Sequence, residues 1–381
     1  MDSMKDIIHQ CRAWYCQECG KCSAVCPITR WETRSYSSPR LLVEKAIDGR
    51  PAEVMQDPLF WSCLTCKRCS LLCPSDVYFS DFIQAARTMA RGCGQAGECT
   101  HGAVIQSWGK MMTDPGLKQD RLDWITPDLG VSDRSEIVYF TGCLPYYDAL
   151  FKSLDFEGVE IARAAVRILN HLGIEPQVMA DERCCGHDQL WEGEMETFHA
   201  LAKLNLESLS ATGAKILITT CPECALILAR EYPKRVADHG LQIFHLTQYL
   251  AQAVADGNLV LAPKNHNRVT YQDPCRLGRY LGIYNEPRSL LQALGLDLRE
   301  MERVRDASLC CGTTGWMSCG QVSKNIQIER LKEASQTGAD RMITACIKCQ
   351  IHFRCAQEDP QLENNLNLKI QDLTTLIANH L

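Results

Sequence analysis

Two matching cysteine words constrain this chain more than anything else in it. They read Cys16-Gln-Glu-Cys19-Gly-Lys-Cys22 followed by Cys26-Pro27, and Cys63-Leu-Thr-Cys66-Lys-Arg-Cys69 followed by Cys73-Pro74. Each is C-x2-C-x2-C-x3-C-P, the run that holds a cubane [4Fe-4S] cluster and, where two clusters are present, sends its fourth cysteine to the other one. Three thiolates on one compact loop face a single cluster, and the proline redirects the fourth. By that rule Cys16, Cys19, Cys22 and Cys73 hold one cluster, and Cys63, Cys66, Cys69 and Cys26 hold the second. Zinc is the plainer alternative, since C-x2-C pairs also suit a tetrahedral site. A zinc site needs four ligands, however, and not the same word written twice with proline after each last thiol. The chain is expected to carry electrons.

Composition narrows the setting. A length of 381 residues implies two or three domains with real cores. The 46% apolar content argues against disorder. The balance of 40 basic against 46 acidic residues excludes an electrostatic nucleic-acid binder. The 23 cysteines would mean disulfides in a short secreted chain. Here they cluster in metal-type words, and Met1 to Gln10 lacks a charged-then-apolar signal pattern. Ile216–Ala229 is interrupted by Thr, Cys, Pro and Glu, and no apolar stretch is long enough to span a bilayer. The expectation is a cytoplasmic, reduced chain, with any membrane association made through a partner.

The fold class expected is α+β and multidomain: a mainly helical two-cluster ferredoxin-like domain, then two tandem pseudo-symmetric α/β cysteine-rich domains. Residues 1–100 form the first, 101–135 a polar linker with Trp108 and Trp124 packed down, 136–262 and 263–381 the two α/β domains. Ser38-Pro39 predicts a capped helix through Ile47 that stops near Gly49, and Asp57-Pro58 predicts another start. Helical spacing runs from Asp81 to Arg91. Gly92-Cys-Gly94-Gln-Ala-Gly97 matches the dinucleotide fingerprint, but a helix precedes it where a strand is required, so it reads as a helix end and turn. No flavin or nicotinamide is expected on this chain. From Ile137 the texture becomes strand–helix alternation, which implies largely parallel sheets.

An internal repeat supplies the second constraint. Cys143, then Cys184-Cys185-Gly186, then Cys221-Pro-Glu-Cys224 recurs as Cys275, Cys310-Cys311-Gly312 and Cys346-Ile-Lys-Cys349, about 125 to 132 residues later. Each C-x2-C falls at the end of a strand and the start of a helix, where the helix dipole favours thiolates and an anionic cluster. Adjacent cysteines face one site only if the backbone turns sharply, and Gly186 and Gly312 permit that. A mononuclear zinc takes four ligands, so five cysteines in both copies argue for something larger. Structural zinc and a thioredoxin-type pair are the alternatives.

These motifs resemble the heterodisulfide reductases of methanogens and their bacterial relatives, in the fused form where a small ferredoxin-like subunit precedes a catalytic subunit with two CCG motifs. The resemblance covers nearly the whole chain apart from the linker. It implies that each CCG set binds a non-cubane [4Fe-4S] cluster: Cys143, Cys184, Cys185, Cys221 and Cys224 one, Cys275, Cys310, Cys311, Cys346 and Cys349 the other. It further implies that a disulfide lies between these clusters and is reduced there to two thiols. Electrons would come through the cubane clusters from a flavin-containing subunit or a membrane cytochrome, within a hetero-oligomer. Disulfide reduction takes two electrons and iron–sulfur clusters pass one at a time, so two clusters facing one substrate suit the chemistry. His187 is the one histidine beside a cluster word and reads as a loop histidine bonded to backbone. The sequence departs from the family's pattern at Thr313-Thr314-Gly315, Gln272 and Arg276, which places bulkier side chains near the substrate gap that the resemblance implies. Cys11, Cys93, Cys99, Cys319 and Cys355 receive no role. Two other readings compete: a relay in a flavin-based complex such as an aromatic-ring-reducing system, and the iron–sulfur subunit of a 2-hydroxy-acid or glycerol-phosphate dehydrogenase.

Overall fold

The computed structural model describes residues 3–33, 36–155, 157–263, 267–359, 366 and 368–381. It divides into two compact units. The first comprises Met1–Met111, Gly186–Phe198 and Leu309–Glu329; the second comprises Met112–Cys185, His199–Ser308 and Arg330–Leu381.

The first unit is rich in helix. The expected helix over Pro39–Ile47 is present, with the Ser38 hydroxyl accepting the Leu41 N–H and Gly49 turning left-handed at φ +74°. The Asp57 carboxylate accepts the Leu59 N–H and caps Pro58–Ser62 in the same manner. Helix Phe79–Gly92 buries Phe79, Phe82, Ala86 and Ala90, three or four residues apart, which makes one apolar face. Its end at Gly92, followed by Gly94 at φ +75°, makes the glycine-rich stretch a turn after a helix. Arg87 is wholly buried on this helix. Its guanidinium donates to the carbonyls of Phe60, Trp61 and Cys63 at 2.8–3.2 Å and to that of Trp191 at 2.9 Å. A buried cation needs such partners, and these carbonyls tie the second cysteine word to helix His187–Glu192.

The second unit holds two parallel sheets. Strands β1 (Ile137–Phe140), β2 (Ile216–Thr219) and β3 (Gln242–His245) lie in that order. Strands β4 (Arg268–Gln272), β5 (Asp297–Leu298), β6 (Arg341–Thr344) and β7 (Lys369–Asp372) lie in the order β5-β4-β6-β7. In the first sheet Gln177 exchanges backbone bonds with Ile137 and Tyr139, at the edge that β5 occupies in the second. Strands β1 and β2 are mainly apolar, and β1, β2, β4 and β6 are mostly buried, as central parallel strands are.

The two halves of this unit pack reciprocally. Helix Gly158–His171, after β1, meets Leu373–Ala378, after β7; helix Leu246–Ala255, after β3, meets Asn285–Ala293, after β4. The same pair of surfaces is used twice in opposite sense, the signature of a two-fold interface. Ile161, Ile168 and Leu169 are buried on Gly158–His171, each contributing roughly 1.5–3 kcal/mol.

Candidate iron–sulfur sites

Both cubane words repeat one backbone path. The residue before the second cysteine is left-handed in each, Glu18 at φ +51° and Thr65 at φ +44°, and so is the residue after it, Gly20 at φ +75° and Lys67 at φ +66°. The path curls the first three cysteines of each word around one point. The fourth cysteines cross over. A single cavity is lined by Cys63, Cys66 and Cys69 together with Cys26 of the other word, amid Ile28, Leu64 and Phe79. Burial pushes the Cys26 thiol up to about 12, with Cys63 and Cys66 as its charged neighbours. Burial likewise raises Cys16, whose charged neighbours include Cys73 and Cys19, and Cys22, beside Cys16 and Cys19. A buried group of four thiols suits an anionic cluster that takes them as thiolates.

The first five-cysteine set also converges. The Cys143 thiol donates to the Cys184 sulfur at 3.8 Å. Thiol–thiol contact continues from Cys184 to Cys185, from Cys185 to Cys224 and from Cys224 to Cys221, and these contacts together with burial hold Cys143, Cys185 and Cys224 well above the ordinary thiol range. The turn that allows adjacent cysteines to share the site is Gly186, at φ +84°, and Gly312 has the same φ in the other copy. At Gly142 a Cβ would sit 3.1 Å from the Cys224 sulfur, so the loop carrying Cys143 closes in on the site.

Polar groups brace the loops that carry this set. Asn205 accepts the Arg183 N–H and donates to the Cys184 carbonyl, and the Tyr232 hydroxyl donates to the Cys185 carbonyl. Glu182 accepts the N–H groups of Thr141 and Gly142 at 3.0 and 2.7 Å, while Arg121 donates to the Gly142 and Glu182 carbonyls and to the Glu182 carboxylate. Burial pushes the Glu182 carboxyl up to about 7, against the pull of Arg121 and the two backbone N–H groups. Arg183 is buried beside Cys184, and its Nε and Nη1 have no hydrogen-bond partner among the described residues. Its Nη2 reaches the carbonyls of Asp114 and Leu117 at 3.4 and 3.3 Å.

The second set is distributed between the units: Cys275, Cys346 and Cys349 lie in one, Cys310 and Cys311 in the other. Cys346 and Cys349 are within hydrogen-bonding reach of each other at the start of helix Ile347–Gln357, and Cys310 and Cys311 are buried. Gln272 accepts from Arg330 at 2.5 Å, and Arg276 is buried over the Tyr280 ring at 4.5 Å. His187 differs from the sequence reading. It opens helix His187–Glu192, and its ring pairs with the Asp188 carboxylate at 3.0 Å.

A family model described as "Cysteine-rich domain" matches residues 137–229 and again 269–354, and one described as "4Fe-4S dicluster domain" matches 12–77. The chain belongs to the heterodisulfide reductase-like family of double-CCG iron–sulfur proteins. It is 30% identical over 269 residues to a subunit of the dihydromethanophenazine:CoB--CoM heterodisulfide reductase of Methanosarcina acetivorans, covering 68% of this chain and 63% of that protein. It is 28% identical over 374 residues to a subunit of the fumarate reductase (CoM/CoB) of Methanothermobacter marburgensis, covering 94% and 71%. It is 32% identical over 203 residues to the EtfAB:quinone oxidoreductase of Syntrophomonas wolfei, covering 52% and 27%. The chain thus spans less than two thirds of the length of the heterodisulfide reductase polypeptide it matches.

Around these family motifs the sequence hid several supporting residues. Arg121 lies in a polar stretch that carries no motif, and Arg87 sits among ordinary helical residues. Glu223 and Lys348 are each the third residue of a C-x2-C word, and their side chains pair at 2.7 Å. The equivalence of those two positions was the one available signal.

Proposed function

We propose that this chain is an iron–sulfur oxidoreductase subunit that takes electrons through two cubane [4Fe-4S] clusters to two non-cubane clusters at the CCG motifs, where a small-molecule disulfide is reduced to two thiols. One observation carries the direction of flow. Inside the first unit, the Thr65 hydroxyl within the second cubane word lies 3.5 Å from that of Thr314, three residues past Cys311. On the same word, Arg87 links the Cys63 carbonyl to that of Trp191, six residues past Cys185. The second cubane site is therefore adjacent to the chain that leaves both CCG words. Cys19, on the first, is exposed, whereas Cys63 is buried, so the first word suits electron entry and the second delivery.

When bound, the clusters would supply one-electron chemistry and iron that captures each sulfur of the cleaved bond. The chain's own part is positional. Asn205 and Tyr232 hold the Cys184 and Cys185 carbonyls, and Arg121 and Glu182 lock the Cys143 loop to the Cys184 loop. The ten CCG cysteines and eight cubane cysteines are assigned as in the sequence reading, with domains at 1–100, 136–262 and 263–381. The electron donor is a flavin-containing subunit or a membrane cytochrome in a hetero-oligomer. Among the described residues no helix is long and apolar enough to cross a membrane. The relative named EtfAB:quinone oxidoreductase favours a second reading, a relay that passes electrons onward without meeting a disulfide.

Electron paramagnetic resonance on anaerobically purified, oxidised protein separates the two, alongside an iron count. A signal that appears only with added thiol supports disulfide reduction. About sixteen irons without a thiol response supports the relay, and about eight shows that the CCG motifs hold something else. The variant Cys19→Ser is expected to abolish reduction by the physiological donor while CCG iron is retained. Full reduction would take the first word off the path.

A further inference from the structure

The two C-x2-C words face each other across the reciprocal packing of the second unit. Charged neighbours of the Cys346 thiol include Glu223 and Cys221, both from the opposite word. Glu223 is the third residue of Cys221-Pro-Glu-Cys224 and Lys348 the third of Cys346-Ile-Lys-Cys349, so the two occupy equivalent positions. They bond to each other at 2.7 Å with side chains only 12% and 6% exposed.

A two-fold contact brings a residue against its own equivalent. Two glutamates or two lysines there would repel in a buried setting, whereas opposite charges close the contact. That solution breaks the symmetry of the redox sites. Both words start a helix, Pro222–Leu226 and Ile347–Gln357, so the helix dipole acts alike on each. Arg183 before Cys184 and Arg276 after Cys275 are alike in sign and both buried. Glu223 and Lys348 are opposite, each one residue from a cysteine of its own set.

We propose that the Glu223–Lys348 pair makes the two CCG sites electrostatically unequal and so sets their order of reduction. The inference rests on the reading that both CCG sets hold clusters. Nearby net charge is a principal lever on iron–sulfur potentials, and burial leaves this charge poorly screened. In electron terms, the flavin-class donor gives one electron to the site of higher potential and then one to the other. The two electrons break one S–S bond, and two protons from solvent complete two thiols. Lys348 and Glu223 are positioning residues here, because they act through the cluster sites.

The test is a reductive titration of the full chain followed by paramagnetic resonance. Each signal is assigned in Cys185→Ser and Cys311→Ser, each of which is expected to keep one CCG site. Removing one partner alone would strand a buried charge, so the informative variants are the swap E223K/K348E and the neutral E223Q/K348M. The swap is expected to keep the ion pair and reverse the order of reduction, and the neutral variant to bring the two potentials together. A purely structural clamp would leave the order unchanged in the swap, and that result overturns the inference. An iron count on the same samples separates the two failures. About sixteen irons with an unmoved order sinks the inference alone, whereas about eight sinks the cluster reading and the inference with it.

Discussion

The two CCG halves share their cysteines and their glycine turns but not the groups that support them. Tyr139 and Tyr271 stand four residues before Cys143 and Cys275. In the first half the Tyr139 hydroxyl meets the Thr220 hydroxyl at 3.2 Å, just before Cys221. The matching residue before Cys346 is Ala345, and the buried Tyr271 hydroxyl has no hydrogen-bond partner among the described residues. Ala225 follows Cys224, whereas the fully buried Gln350 follows Cys349 with neither amide atom partnered among the described residues. The braces differ too. Arg121 pairs with the side chain of Glu182 and otherwise bonds backbone carbonyls, while Arg330 reaches the side chains of Gln272, Ser308 and Glu333 together. A repeat can therefore keep its ligand positions and turns while its support is rebuilt independently in each copy.

The braces give the largest expected contrast. Arg121→Met strands the Glu182 carboxylate in the interior, which costs about 3–5 kcal/mol. Arg330→Met leaves Glu333 paired with Arg303, so its cost is expected at about 1–3 kcal/mol, the loss of hydrogen bonds to buried partners. Denaturant unfolding under anaerobic conditions measures both. Equal costs would mean that the two braces are interchangeable and the comparison fails.

A subtler contrast is in pH dependence. His245 ends β3 and caps Leu246–Ala255; Asp372 ends β7 and caps Leu373–Ala378. Burial pushes His245 down to about 4 and Asp372 up to about 7. Between about pH 4 and 6.5 the unfolded His245 holds a proton that the folded one lacks, so its contribution to stability rises with pH. Over about pH 4 to 7 the folded Asp372 holds a proton that the unfolded one has lost, so its contribution falls as pH rises. Each slope reaches at most about 1.4 kcal/mol per pH unit. Glu182, also pushed up to about 7, adds to the Asp372 slope, so the wild-type chain is expected to lose stability as pH rises from about 4.5 to 6. Asp372→Asn, which retains a capping side chain, is expected to bring the curve close to flat, and His245→Asn to steepen the fall. Parallel curves for both variants would show that the opposed titrations do not exist.

Much of this was legible in the chain and some was not, for physical reasons. The cubane crossing follows from spacing alone, because three cysteines at C-x2-C-x2-C can only curl around one point and Cys26 and Cys73 are left to reach elsewhere. Helix starts at Ser38-Pro39 and Asp57-Pro58 are local capping chemistry, and β1 and β2 are short apolar runs. By contrast, Arg121 and Glu182 are 61 positions apart, and nothing local marks either as buried. The charge pairing of Glu223 with Lys348 depends on two halves meeting across a pseudo-two-fold contact, which sequence periodicity reveals as repetition but not as juxtaposition. His187 read as a loop residue because its helix is six residues long, too short for a periodic signal.

The smallest expected effect tests the tyrosines. Tyr139→Phe removes a hydroxyl that bonds Thr220 and leaves that partner buried, so it should cost about 1 kcal/mol. Tyr271→Phe removes a hydroxyl that is buried without a hydrogen-bond partner among the described residues, which relieves a desolvation penalty, so its effect should be near zero or stabilising. The ring itself is kept in both variants, including the stacking of Arg288 over Tyr271 at 5.3 Å, so packing is not what differs. If Tyr271→Phe costs as much as Tyr139→Phe, the Tyr271 hydroxyl has a partner in the assembled protein. Repeating the measurement with clusters loaded then tells whether that partner arrives with the iron or is already present without it.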